Sequence, residues 1–86
     1  MSPYYLVEFK SNDTNLHAAG FEICLTLTTL DLPLHIVLDT EGNDNRLRKQ
    51  LTSLEDYGIA TVHNKKMLTK NQYQQLFHTP HFLLCF

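Results

Sequence analysis

Tryptophan is absent from this chain, and glycine, proline and cysteine are scarce, at three, three and two residues among 86. The shortage of glycine and proline excludes collagen-like and low-complexity sequence. Two cysteines, Cys24 and Cys85, lie far apart without C-x-x-C spacing, which excludes a disulfide-dense scaffold and a cysteine-rich zinc module. Both stand among apolar neighbours and read as reduced, buried thiols in preference to a single disulfide. No run reaches the ~18 apolar residues of a membrane span. The opening Met-Ser-Pro-Tyr-Tyr has neither the basic nor the apolar region of a signal peptide, so a cytoplasmic protein without a membrane partner is expected. A large excess of either charge is also missing. Seven Lys and Arg stand against nine Asp and Glu, a formal net charge of −2. Nothing there draws the chain as a whole to nucleic acid, and no direct nucleic-acid binding is expected.

What is present is a 43% hydrophobic chain of a length that makes one domain, 1–86. A core of this size is marginal, and oligomerisation is a common remedy. Tyr4 to Phe9 reads as a strand, followed by the polar loop Lys10–Asn15. Asp13, Thr14 or Asn15 caps a helix whose stripe holds Phe21, Cys24, Leu25 and Thr28, with Gly20, Ile23 and Leu27 beside it. That apolar face is wide and should be heavily buried. Asp31-Leu32-Pro33 is a tight turn. Leu34, Ile36, Val37 and Leu38 follow almost unbroken, which reads as a central strand covered on both faces.

Leu47, Leu51 and Leu54 give a one-sided surface helix that ends at Tyr57-Gly58. Ile59 to Val62 reads as a third strand, and His63 to Lys66 as a polar loop leaving it. Met67 and Leu68 return the chain to apolar surface. Thr69 and Gln72 form a capping box for a helix with Tyr73, Leu76 and Phe77 on its apolar side. After Thr79-Pro80, His81 to Phe86 reads as a last strand docked in the sheet. The order β-α-β-α-β-α-β predicts an α/β three-layer sandwich with a mainly parallel four-stranded sheet and helices on both faces.

In such a sheet ligands bind beyond the carboxyl ends of the strands. Those ends offer Lys10, Ser11, Asp13, Asp39, Glu41, His63, Lys65 and Lys66. The first loop contains no glycine, so neither dinucleotide nor P-loop chemistry fits it. The five histidines are not spaced as metal ligands, and no metal or other cofactor is expected. His78 and His81 read as turn residues and His17 as solvent-exposed at a helix start. His35 reads as a core histidine with one hydrogen-bond partner, or as one at a subunit interface. Asp39 and Glu41 read either as a solvated acidic turn or as an acid/base pair.

Four segments together resemble the DsrE/DsrF-like family, the small sulfur-relay subunits of the TusBCD and DsrEFH type. They are Ala18-Ala19-Gly20-Phe21-Glu22, the strand end Asp39-Thr40-Glu41-Gly42, the approach Leu54 to Val62, and the closing Phe82-Leu83-Leu84-Cys85-Phe86. The resemblance implies a flavodoxin-like, DsrE-like sandwich, assembly with DsrE-like subunits, and sulfur-donor or sulfur-acceptor proteins as partners. It also implies a context such as tRNA 2-thiouridine modification. Family members that carry persulfide place a cysteine just after the third strand. That position falls on His63 here, with Val62 and Asn64 on either side, and Lys65 and Lys66 replace small residues. A thiolate is required to hold sulfane sulfur, so the expectation is a non-catalytic subunit or accessory protein, with His63, Lys65, Lys66, Asp39 and Glu41 as interaction residues. Two alternatives stand beside it. One is a sulfurtransferase carrying persulfide on Cys85. The other is a module binding a small anion or ligand.

Overall fold

Strand-forming segments far apart in sequence pair side by side in one parallel sheet of order β3-β2-β1-β4. The computed structural model describes residues 4–39, 45–56, 60–78, 80 and 82–86. Its elements run β1 (Tyr5–Phe9), α1 (Thr14–Thr29), β2 (Leu34–Leu38), α2 (Asn45–Glu55), β3 (Ala60–Asn64), a 3-10 turn (Lys65–Met67), α3 (Lys70–His78) and β4 (Phe82–Cys85). The α/β sandwich expected from the alternation is the fold observed, and β2 is an interior strand as its apolar sequence requires. No described helix is long and apolar enough to cross a membrane.

Alternation along the strands divides the sheet into two faces. Val7 and Phe9, Leu34, Ile36 and Leu38, and Ala60 point to one side, where they pack with Cys24 and with Leu47, Leu51 and Leu54. Those three leucines of α2 are each no more than 2% exposed, as their i, i+4, i+7 spacing predicts. Helix α3 covers the opposite face and contains no fully buried residue.

Helix α1 begins at Asp13, whose carboxylate accepts the Asn15 N–H at 2.8 Å. Its last turn closes with the Asp31 N–H on the Thr28 carbonyl and the Leu32 N–H on the Leu27 carbonyl. Asp31 stands at φ 58. This is a Schellman cap with aspartate in the left-handed position usually held by glycine, and Pro33 follows to prevent continuation. Thr26, Thr28 and Thr29, weak helix formers, donate their hydroxyls to the carbonyls of Glu22, Cys24 and Leu25 one turn back.

The buried line of α1 is narrower than its apolar sequence: His17, Gly20, Cys24 and Thr28 are buried, while Leu16, Leu25 and Leu30 are exposed. Leu25 therefore does not belong to the packing stripe. Gly20 sets how closely the helix approaches the sheet, because a methyl group there would overlap the Phe9 ring and press on Phe86. Met67 does not return the chain to buried surface either; it is 81% exposed.

The third strand runs on through His63 and Asn64, because both pair in parallel register with Val37 and Leu38. Its expected start, Ile59, lies outside the described residues, as do Glu41, Gly58, Thr79 and His81. His17 is buried, not solvent-exposed, because its ring turns back onto the Ser11 carbonyl and lies edge-on to Phe9. Cys85 is exposed, not buried: β4 lies at the edge of the sheet, with β1 as its one neighbour among the described residues. The last strand is nonetheless docked. The Phe86 N–H donates to the Glu8 carbonyl at 2.8 Å, and the Phe86 carbonyl accepts from Lys10 and Ser11.

Candidate functional site

The carboxyl ends of the strands do bring polar groups together, but in pairs that satisfy one another. Lys65 Nζ donates to Asp39 Oδ2 at 2.9 Å and lies 4.9 Å from the centre of the Tyr73 ring. The Asp39 hydrogen bond raises the Lys65 pKa, so the ammonium stays charged. Lys10 Nζ reaches Glu8 Oε1 at 3.5 Å. Ser11 and Asp13 belong to the start of α1, where Ser11 Oγ accepts the Asp13 N–H at 3.0 Å. Lys66 is exposed, and its backbone N–H is taken by Asn64 Oδ1. Glu41 is outside the described residues.

Glu8, absent from the sequence-predicted site residues, is the centre of the first polar grouping. It is a carboxylate on an interior strand with 1% exposure. Such a group must be hydrogen-bonded to be tolerated. Oε2 accepts the Tyr73 hydroxyl at 2.6 Å, and Oε1 lies 3.8 Å from Cys85 Sγ. Burial, and then the bond to Glu8, raises the Tyr73 pKa, so the phenol remains the donor. Cys85 is raised first by burial and then by Glu8, against the pull of Lys10. Cys24, closed inside the apolar layer, is pushed up to about 12 by burial. Both cysteines are thus held as thiols, a poor state for nucleophilic work. The sequence signal for Glu8 was available: a carboxylate among Tyr5, Leu6, Val7 and Phe9 demands a partner.

The second grouping lies across β2 and β3. His35 pairs in register with Thr61 and Val37 with His63, so the two imidazoles are diagonal neighbours on the α3 face. His35 Nδ1 and His63 Nε2 are 3.0 Å apart, and the rings are nearly parallel at 22° with centroids 5.2 Å apart. Tyr4 meets the His35 ring edge-on at 4.9 Å and donates its hydroxyl to the Leu76 carbonyl at 2.6 Å. The expected single partner of His35 is therefore His63. Burial lowers both imidazole pKa values, with His63 adding to the fall at His35 and Glu55 opposing it at His63. Both rings are held neutral.

Above this pair lies a cleft of about 860 Å3 between the sheet and α3, bordered by Tyr4, His35, His63, Asn71, Gln72 and Gln75 among others. Its polar side chains converge from different elements, the arrangement usual for small-molecule sites. Sequence reasoning named His63 and His35 separately. It did not place them together, nor find Tyr4 or the amides of α3. No group of three or more His, Cys, Asp or Glu among the described residues forms a metal-holding cluster. Compared with protein-family models, curated proteins and solved structures, the chain finds no match in any of the three.

Proposed function

We propose that this chain is a non-catalytic subunit or accessory protein of a sulfur-relay system of the DsrE/DsrF-like kind, acting in the cytoplasm in an oligomer with DsrE-like subunits. Modification of tRNA to 2-thiouridine is its proposed context. One observation carries this reading. The resemblance puts a sulfur-accepting cysteine just after the third strand, at a position that falls on His63, and here His63 lies within β3, hydrogen-bonded to His35. Imidazole has no stable linkage to sulfane sulfur, so the chain contributes surface and binding in place of a relay thiol.

The alternatives have less support. Cys85 is exposed, but desolvation of its thiol and then Glu8 disfavour the thiolate that would attack a persulfide donor. A small-anion site at the strand ends would rest on the exposed Lys66, since Lys65 is already paired with Asp39.

Incubation with a persulfide donor followed by intact-mass measurement tests the reading directly. No mass gain on Cys85 is expected, and stoichiometric gain would establish the sulfurtransferase alternative. Affinity purification from the source cells is expected to recover DsrE-like subunits. A stable micromolar monomer that co-purifies with none of them would count decisively against the proposal.

A further inference from the structure

The chemistry of the cleft over the histidine pair restricts what can occupy it. Rings of Tyr4, His35 and His63 form one wall, and side-chain amides of Asn71, Gln72 and Gln75 form another. No carboxylate, lysine or arginine borders it among the described residues. In a neutral imidazole pair one ring donates and the other accepts across the 3.0 Å contact. The outer nitrogens are then one donor and one acceptor, and shifting the tautomer of both rings exchanges the two. The amides likewise offer both kinds of group, although Gln72 already spends its Oε1 on the Thr69 N–H. A charged ligand finds no fixed counter-charge here; His78 is the one further histidine bordering the cleft among the described residues. A purely apolar ligand would gain contact with Leu68 and Leu76 but would strip water from the imidazoles and amides without replacing their hydrogen bonds. A flat ligand gains ring contact on one side and hydrogen bonds on the other.

We infer that the cleft binds an uncharged planar nitrogen heterocycle with both N–H and C=O groups on its edge, of the nucleobase class, taken as a free base or nucleoside. This goes beyond the sulfur-relay reading and does not rest on it.

The test is an NMR titration of the full chain, isotope-labelled in its backbone and in its histidine rings and side-chain amides. The probes are uridine, uridine 5′-monophosphate and a short oligouridylate. Uridine is expected to give saturable shifts at His35, His63, Asn71 and Gln75, with the monophosphate and the oligonucleotide binding no more tightly. Gln75→Ala and Asn71→Ala, both at exposed positions of α3, should each weaken uridine about fivefold, as loss of one hydrogen bond does. His63→Leu should weaken it about tenfold or more. Absence of saturation in the millimolar range would overturn the inference. So would a monophosphate or oligonucleotide bound more than about tenfold tighter than uridine, since charge would then carry recognition. Shifts equal in Gln75→Ala, Asn71→Ala and the parent chain would place binding elsewhere and overturn it too. If His63→Leu does not fold, the two α3 variants decide the matter.

Discussion

On one side of the sheet, Val7, Phe9, Leu34, Ile36 and Leu38 meet Leu47, Leu51 and Leu54 from α2 and Cys24 from α1. On the other, the same strands present Glu8, His35 and His63 to a nine-residue helix, with Leu6 and Val37 as the fully buried apolar residues. The first side is held by area removed from water, which is non-directional and grows with every methylene. The second is held by a few directional bonds, Tyr73 to Glu8 and Tyr4 to the Leu76 carbonyl, each of which either exists or does not. The first side stores stability. The second leaves a polar cleft open, where a ligand or partner can be recognised, and it does so because α3 is too short and too polar to seal it.

The contrast can be broken most severely at Leu51, which is fully buried against the apolar layer. Leu51→Ala should cost about 3–4 kcal/mol in chemical denaturation, the cavity and the lost burial adding together. A cost under about 1 kcal/mol would mean that this side is not the core. On the polar side, Tyr73→Phe removes the strongest donor to a buried carboxylate and should cost about 2 kcal/mol. Restoring most of that stability with the added change Glu8→Gln would show that the penalty came from the unpaired charge. Tyr4→Phe releases only the end of α3 from the sheet and should cost about 1 kcal/mol. Its signature is faster amide exchange confined to α3.

Smallest of all is a pH effect. Because the folded state favours neutral His35 and His63, their contribution is complete above the ordinary histidine value of 6.5. It declines as pH falls from there through the lowered folded-state values, since the unfolded chain takes up protons first. Thermal unfolding between about pH 8 and pH 5 should therefore show a loss of stability toward acid that His63→Gln reduces. An unchanged slope in that variant would remove the pair from the account.

The apolar side was legible in sequence because its signals are periodic. The spacing of Leu47, Leu51 and Leu54 and the unbroken Leu34–Leu38 segment state their environment without reference to any other part of the chain. The polar side was not, because its meaning lies in pairs made by register. Nothing local says that His63 continues a strand; that follows from its pairing with Val37. Nothing local says that His35 meets His63, or that Tyr73 is the donor to a carboxylate 65 positions away. Cys85 and His17 were misjudged for the same reason. Exposure of the first follows from the edge position of β4, and burial of the second from a ring that turns back onto the Ser11 carbonyl. Strand order belongs with these, since alternation of elements is compatible with more than one arrangement.

The position of β4 beside β1 has a kinetic consequence. Glu8 and Cys85 are register partners separated by 77 positions, so closing this pair carries the largest loop-closure entropy in the sheet. The β1-α1-β2 and β2-α2-β3 units can each form by shorter closures, and the final strand then zips onto a platform that already exists. Because β4 is held by one neighbour among the described residues, and Phe82 and Leu83 stand partly in solvent, it is also the strand that detaches at least cost. Its amides should exchange with solvent through a local opening well before those of β1. Such an opening would leave a three-stranded sheet with the β4-facing edge of β1 bare.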